Sequence, residues 1–287
     1  MKILLPVDGS RHSLNAVRYV AERLIPANPD SELYVLHVRF RTPPRGAAAA
    51  GLAVLQDYYR TEMEEAVESA CGVLDRHHVQ YNTIRSAGRP GAEIVRIAEA
   101  KKANLVVMGS HGRGAAKSLF LGSATQSVIA GCDVPLIVIR DGQLPPSGGE
   151  VLVAVDGSAH ARKAVAYLLR YRGQLAASSR ITLIHVSPTI PRSSSAKERA
   201  AIQKEREAER EHAMRDARQL LAKTNVKVKE VHVFGEAGEH IAGYSRRNHC
   251  SLIVLGSHGR GRMTSLILGS VAQKTVAATR TPVLIVR

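Results

Sequence analysis

Two short strings hold the residues best suited to chemistry. Gly109-Ser110-His111-Gly112 is followed, after nine residues, by Gly122-Ser123; Gly256-Ser257-His258-Gly259 is followed, again after nine, by Gly269-Ser270. Glycine at the first and fourth positions lets the backbone turn sharply and approach a ligand closely. A Gly-Ser opening the next helix offers unclaimed N–H groups, the positive end of the helix dipole and a hydroxyl. Two clusters of donors on one loop suit a di- or triphosphate. A single occurrence reads equally well as a turn before a helix; two, each after an apolar run, favour the phosphate. Ala116-Lys117-Ser118 lacks the glycine of a Walker loop, and Gly112-Arg113-Gly114 is not completed by a third glycine, so the dinucleotide fingerprint fails too.

These strings belong to a duplication. Val7-Asp8-Gly9-Ser10 returns as Val155-Asp156-Gly157-Ser158 and Leu36-His37-Val38 as Ile184-His185-Val186, both 148 residues on; the glycine string and Val134–Arg140 return 147 residues on. Two copies of one unit are expected, at residues 1–141 and 150–287, joined by a Gly/Pro/Ser linker at 142–149. In the first copy, apolar runs at Ile3–Val7, Leu33–Val38, Tyr81–Ser86, Leu105–Met108 and Leu136–Ile139 read as strands. Between them lie helical patterns at Leu14–Leu24 (N-capped by Ser10), from after a Thr42–Gly51 loop to about His77, at Gly91–Lys102 and at Ser123–Ala130. Strands alternating with helices predict an α/β fold of two tandem Rossmann-like doubly wound units, each with a five-stranded parallel sheet. Ligands of such sheets bind beyond the carboxyl ends of the strands, where the strand order reverses.

With Asp8 and Asp156 closing the first strand of each copy, the Gly-x2-Gly-x9-Gly-Ser pattern resembles the nucleotide-binding signature of universal stress proteins. The likeness covers essentially the whole chain as two tandem units and includes the closing Val-Pro-Leu-Ile-Val strand. It implies an ATP site in which the aspartate meets the nucleoside, the end of the second strand meets adenine, and the glycine loop and Gly-Ser turn hold ribose and phosphates. The first copy would use Asp8, Val38, Gly109, His111, Gly112, Gly122, Ser123 and Thr125. The second would use Asp156, Val186, Gly256, His258, Gly259, Gly269 and Ser270. The family also pairs units through their last strands, which implies an internal pseudo-dimer through the fifth strands and leaves a further homodimer open. Mg²⁺ is expected on the phosphates, not in a protein cage.

The copies differ from one another and from the family. Thr125 corresponds to Ala272, so a hydroxyl donated to a phosphate oxygen would make the first site about tenfold tighter. The acid usual before the fourth strand is Asn104 or Ser251, which bears on local capping. Asp8 and Asp156 could also cap a turn, as Asp before Gly-Ser often does. His111 and His258 have no sequence neighbour to make them acid–base groups and read as loop-shaping or phosphate-bonding residues. His37 and His185 read as satisfied core histidines. Arg113, Lys117, Arg260 and Arg262 suit phosphates or a solvated loop alike. Ala196–Lys223, with charges at i,i+4 spacing, reads as a solvated helix stiffened by ion pairs.

Composition bounds the rest. The 287 residues are 45% hydrophobic and 23% charged, as in a globular protein, and no apolar run approaches membrane-spanning length. Cys71, Cys132 and Cys250 are too few and too scattered for a disulfide framework or zinc site, which with the absence of a leader pattern points to the cytoplasm. The net charge is +15, split as +3 before residue 148 and +12 after it, so an acidic protein partner is open. With no Trp and 4% aromatic residues, base-stacking on nucleic acid is not expected, and neither is a membrane. The functions expected are an ATP-binding stress-response regulator, a slow ATP hydrolase or phosphotransferase, or an interaction module in which nucleotide is vestigial.

Overall fold

A computed structural model describes residues 1–39, 66–112, 121–140, 142–145, 148–175, 180–191, 193–259 and 268–287. Two compact units divide the chain, Met1–Gly142 and Gln143–Arg287. The Thr42–Gly51 loop and the start of the helical pattern after it lie outside the described residues, as do Pro146 and Ser147 of the linker and the cations Arg113, Lys117, Arg260 and Arg262.

The first unit has strands β1 (Lys2–Pro6), β2 (Glu32–Arg39), β3 (Asn82–Ala87), β4 (Leu105–Gly109) and β5 (Leu136–Ile139). They lie in the order β3-β2-β1-β4-β5, every pair parallel. The order reverses beside β1, where Leu4 pairs with Tyr34 on one side and Val106 on the other. Helices α1 (Arg11–Tyr19), α2 (66–76), α3 (Pro90–Ala100) and α4 (Ser123–Gly131) connect the strands. The second unit repeats this with β6 (Val151–Ala154), β7 (Arg180–Ser187), β8 (Lys227–Phe234), β9 (Leu252–Gly256) and β10 (Val283–Val286), parallel in the order β10-β9-β6-β7-β8. Its longer helices are α5 (Ala159–Arg170), α6 (Ala196–Leu221), α7 (Ala237–Arg247) and α8 (Ser270–Ala278), with a single short turn of helix at Arg172–Leu175.

Central strands are apolar on both faces because helices cover both, and Ile3, Leu4, Leu5, Leu105 and Leu152 are fully buried. Ser10 and Ser158 cap α1 and α5 by accepting from the Ser13 and Ala161 amides at 3.2 and 3.1 Å. The single helix expected over Leu14–Leu24 instead widens into a π turn, Val20–Leu24, before a short helix at Ile25–Ala27. Pro26 in that short helix has no amide hydrogen to return to the Glu22 carbonyl, which removes one α-helical bond from the ladder.

Asn104 and Ser251 do more than cap. Asn104 exchanges two bonds with Lys2, accepting from its amide through Oδ1 and donating its own amide to its carbonyl, each 2.8 Å. Ser251 donates its amide to Glu150 O and its hydroxyl to Gly149 O, both at 2.9 Å. Each therefore ties the start of the fourth strand of its unit to the start of the first. Helix α6 begins with a capping box, Ser195 with Glu198, and its early turns are exposed, as the charge pattern suggests. Its last turns depart from that pattern. Ala213, Met214, Ala217 and Leu221 are buried, and Arg218 reaches Glu230 of β8 at 2.6 Å.

Candidate functional site

The cleft forms at the carboxyl ends of the strands where the order reverses. In the first unit it is a cavity of about 1210 Å³. Asp8, Val38, Gly109, His111, Gly112, Gly122, Ser123 and Thr125, all singled out from sequence, line it together. Pro6, Leu36, Met108 and Ile94 supply apolar wall, and Arg39, Arg89 and Arg96 line it as well.

Asp8 serves two ends. One carboxylate oxygen, Oδ1, accepts from the Ser10 amide at 3.0 Å and so makes the expected Asx turn. The other, Oδ2, faces the glycine loop: a side-chain carbon on Gly112 would sit 2.7 Å from it. Asp156 repeats this, with Ser158 N at 3.0 Å from Oδ1 and a carbon on Gly259 at 2.8 Å from Oδ2. The turn and the glycine loop thus meet opposite oxygens of each carboxylate.

The first glycine of each string works differently from the sequence expectation. A side-chain carbon on Gly109 would lie 2.7 Å from the carbonyl carbon of His12, and one on Gly256 would lie 2.8 Å from that of His160. The backbone of α1 or α5 approaches there. Gly122 and Gly269 close the loop on itself by donating their amides to Ser110 O at 2.8 Å and Ser257 O at 2.9 Å. Neither α4 nor α8 has a side chain capping its N terminus. The first-turn amides from Ser123 and Ser270 onward have no intrahelical acceptor, which suits an anion.

Thr125 also departs from expectation. It is buried, and its hydroxyl donates to Gly109 O at 3.0 Å. Its one proton is used in tying α4 to the end of β4. Ala272, buried at the matching place in α8, cannot make that bond. The tenfold ranking built on a Thr125–phosphate bond therefore loses its basis.

Each loop histidine has a partner absent from the sequence expectation. His111 is buried, its Nδ1 2.9 Å from Ser110 Oγ and its ring 5.2 Å from that of His12. His258 is half-buried, with Ser257 Oγ at 3.0 Å and the His160 ring at 5.3 Å. Burial first, then the neighbouring His258, hold His160 below the usual imidazole range, which favours the neutral ring. His12 and His160 are 148 residues apart, so the duplication itself carried the signal. His37 and His185 are core histidines, each with Nδ1 2.8 Å from the carbonyl just past the first strand of its unit, Val7 O and Val155 O. Val186, paired with Val233, is the penultimate residue of β7, at the same carboxyl end of the sheet as Asp156.

Among the described residues no group of three or more His, Cys, Asp or Glu is arranged to hold a metal ion. No helix among them is long and apolar enough to cross a membrane.

The description "universal stress protein family" attaches to the family model that matches residues 1–140 and again 149–287. The chain is 32% identical over 140 residues to universal stress protein MJ0531 of Methanocaldococcus jannaschii, covering 48% of this chain and 81% of that one. A universal stress protein of Mycolicibacterium smegmatis is 25% identical over 300 residues, covering 99% and 96%. The crystal structure of a universal stress protein from Archaeoglobus fulgidus superposes with a TM-score of 0.70 at 22% identity, covering 100% of this chain and 96% of that one. That likeness concerns the fold.

Proposed function

We propose that this chain, which belongs to the universal stress protein family, is a nucleotide receptor that binds ATP in each unit and acts as a cytoplasmic regulator. One observation carries this, and it occurs twice. A carboxylate oxygen at the end of the first strand lies where a side chain on the fourth loop residue would begin, at 2.7 Å for Gly112 and 2.8 Å for Gly259. A bare backbone leaves that oxygen in place, an acceptor suited to a ribose hydroxyl beside a helix terminus suited to phosphate.

In this arrangement Asp8 or Asp156 accepts from the nucleoside, and the backbone at Val38 or Val186 borders the base. Gly112, Gly122 and Ser123, or Gly259, Gly269 and Ser270, surround the phosphates. Mg²⁺ would sit on the phosphates with water for its remaining ligands. His111 and His258, tied to Ser110 and Ser257, shape the loop and do not act as bases.

The test is mass spectrometry of small molecules released by denaturing the purified chain, followed by calorimetric titration with ATP. Adenine nucleotide released, or micromolar binding at two sites, supports the function. A chain that releases and binds none overturns it.

A further inference from the structure

Along the carboxyl edge of the first sheet the strand order β4-β1-β2-β3 sets out four features in sequence: the glycine loop, Asp8, Val38 with Arg39, and Arg89 just past β3. At about 4.8 Å per strand, Arg89 follows a strand about 14 Å from the loop. Arg39 and Arg89 line the same cavity as the loop. A nucleotide laid along this edge, with phosphates on the loop and sugar at Asp8, brings its base to the arginines.

The second unit keeps the frame and reverses the chemistry. Gly88 donates its amide to Arg39 O at 2.8 Å, and Gly235 donates to Ser187 O at 2.9 Å. Arg89 and Glu236 are the N-cap residues of α3 and α7, with φ, ψ of −79°, 119° and −80°, 116°. Gly91 packs against Ser127, and Gly238 against Lys274. These matches make Ser187, Glu236 and Lys274 the counterparts of Arg39, Arg89 and Ser127. Glu236 Oε2 lies 3.0 Å from Lys274 Nζ, and that bond holds its carboxyl below the usual range, so it is ionised at neutral pH.

We propose that Arg89, assisted by Arg39, reads the base edge in the first unit and favours a 6-oxopurine, while Glu236 favours a 6-aminopurine in the second. The assignment holds only if the glycine loops bind nucleotide phosphates as proposed above. A guanidinium only donates, in a fixed fork that matches the O6 and N7 acceptors of guanine or hypoxanthine; adenine offers an amino donor in place of O6. On that same edge a carboxylate only accepts, so it accepts a hydrogen bond from the adenine 6-amino group and is repelled by O6. One family frame thus carries two base preferences. The chain can then respond to two purine nucleotide pools at once.

The experiment is calorimetry with ATP, GTP and ITP on the full chain carrying Gly259→Val, which leaves the first site, and Gly112→Val, which leaves the second. The first site should bind GTP and ITP alike, each about tenfold more tightly than ATP, and the second should show the reverse order. Arg89→Glu and Glu236→Arg, both at exposed positions, should each invert the order in their own unit. The unmodified chain provides a measurement independent of the glycine variants: GTP just sufficient to fill the first site should leave a second that still takes ATP. Equal affinities in both units, or GTP binding tightly while ITP follows ATP, overturn the base assignment and leave the proposed function standing. A chain that binds none of the three overturns both.

Discussion

Thr125 Oγ1 donates to the carbonyl oxygen of Gly109 at 3.0 Å, across sixteen residues of chain. This bond fastens the start of α4 to the end of β4, the two elements that bound the glycine loop. Removing the hydroxyl leaves a carbonyl at a buried position without its donor. Thr125→Val should lower the unfolding free energy by about 1–2 kcal/mol in urea titrations, and Ala272→Thr should raise it by about 0.5–1.5 kcal/mol. A Thr125→Val chain of unchanged stability but weakened ATP binding would return the hydroxyl to the phosphate.

Gly109 and Gly256 make a second expectation about stability. An alanine carbon there meets backbone atoms of His12, or of His160 and Ala161, at 2.7–2.8 Å. Backbone cannot rotate aside as a flexible side chain can, so the helix must shift. Gly109→Ala and Gly256→Ala should each cost about 1–3 kcal/mol, read from urea midpoints. A neutral substitution would show that α1 and α5 have room to move.

The strands and loops were legible because their signals are local. Leu105–Met108 is an uninterrupted apolar run, and Gly109-Ser110-His111-Gly112 recurs with one spacing in both copies. Partners distant in sequence were not legible. Nothing near Gly109 says that His12 will lie against it, or that the Thr125 proton will be taken by a carbonyl sixteen residues earlier. Arg89 went unnoticed for the same reason: only the parallel order of β3, β2, β1 and β4 brings it to the cavity that holds the glycine loop.

Cys250 gives a pH dependence. The thiol is buried between α7 and β9, and burial pushes it up to about 11. An unfolded cysteine ionises near pH 8.5, so between roughly pH 8.5 and 11 the folded chain holds a proton that the unfolded chain has lost. Stability from this group is complete below that window and falls as pH rises through it. The slope should flatten in Cys250→Ala, measured by urea unfolding at pH 8, 9 and 10. Iodoacetamide at pH 8 should label the half-buried Cys71 before Cys132 and Cys250, since the other two are buried. A slope unaffected by Cys250→Ala, or Cys250 labelling first, would contradict this placement.

The loop itself is tested at its fourth residue. A valine at position 112 puts its first side-chain carbon 2.7 Å from Asp8 Oδ2, and one at 259 puts it 2.8 Å from Asp156 Oδ2. Either the carboxylate swings away or the loop lifts, and both outcomes spoil the place where sugar and phosphates would meet. Neither glycine has a positive φ, so valine brings bulk without left-handed backbone strain and the fold should survive. Gly112→Val should weaken ATP binding in its own unit at least about tenfold, equivalent to about 1.4 kcal/mol, and leave the other unit's isotherm in place. Gly259→Val should do the converse, and the double variant should bind no ATP while keeping its circular dichroism and unfolding midpoint close to those of the unmodified chain. Asp8→Asn separates the two routes. It leaves the bulk at position 112 unchanged, keeps an oxygen for the Ser10 amide and removes the negative charge, so a loss of binding comparable to Gly112→Val would assign the effect to the carboxylate, whereas near-native binding would assign it to the backbone of the loop. A folded double variant that still binds two equivalents of ATP would remove the glycine loops from nucleotide recognition.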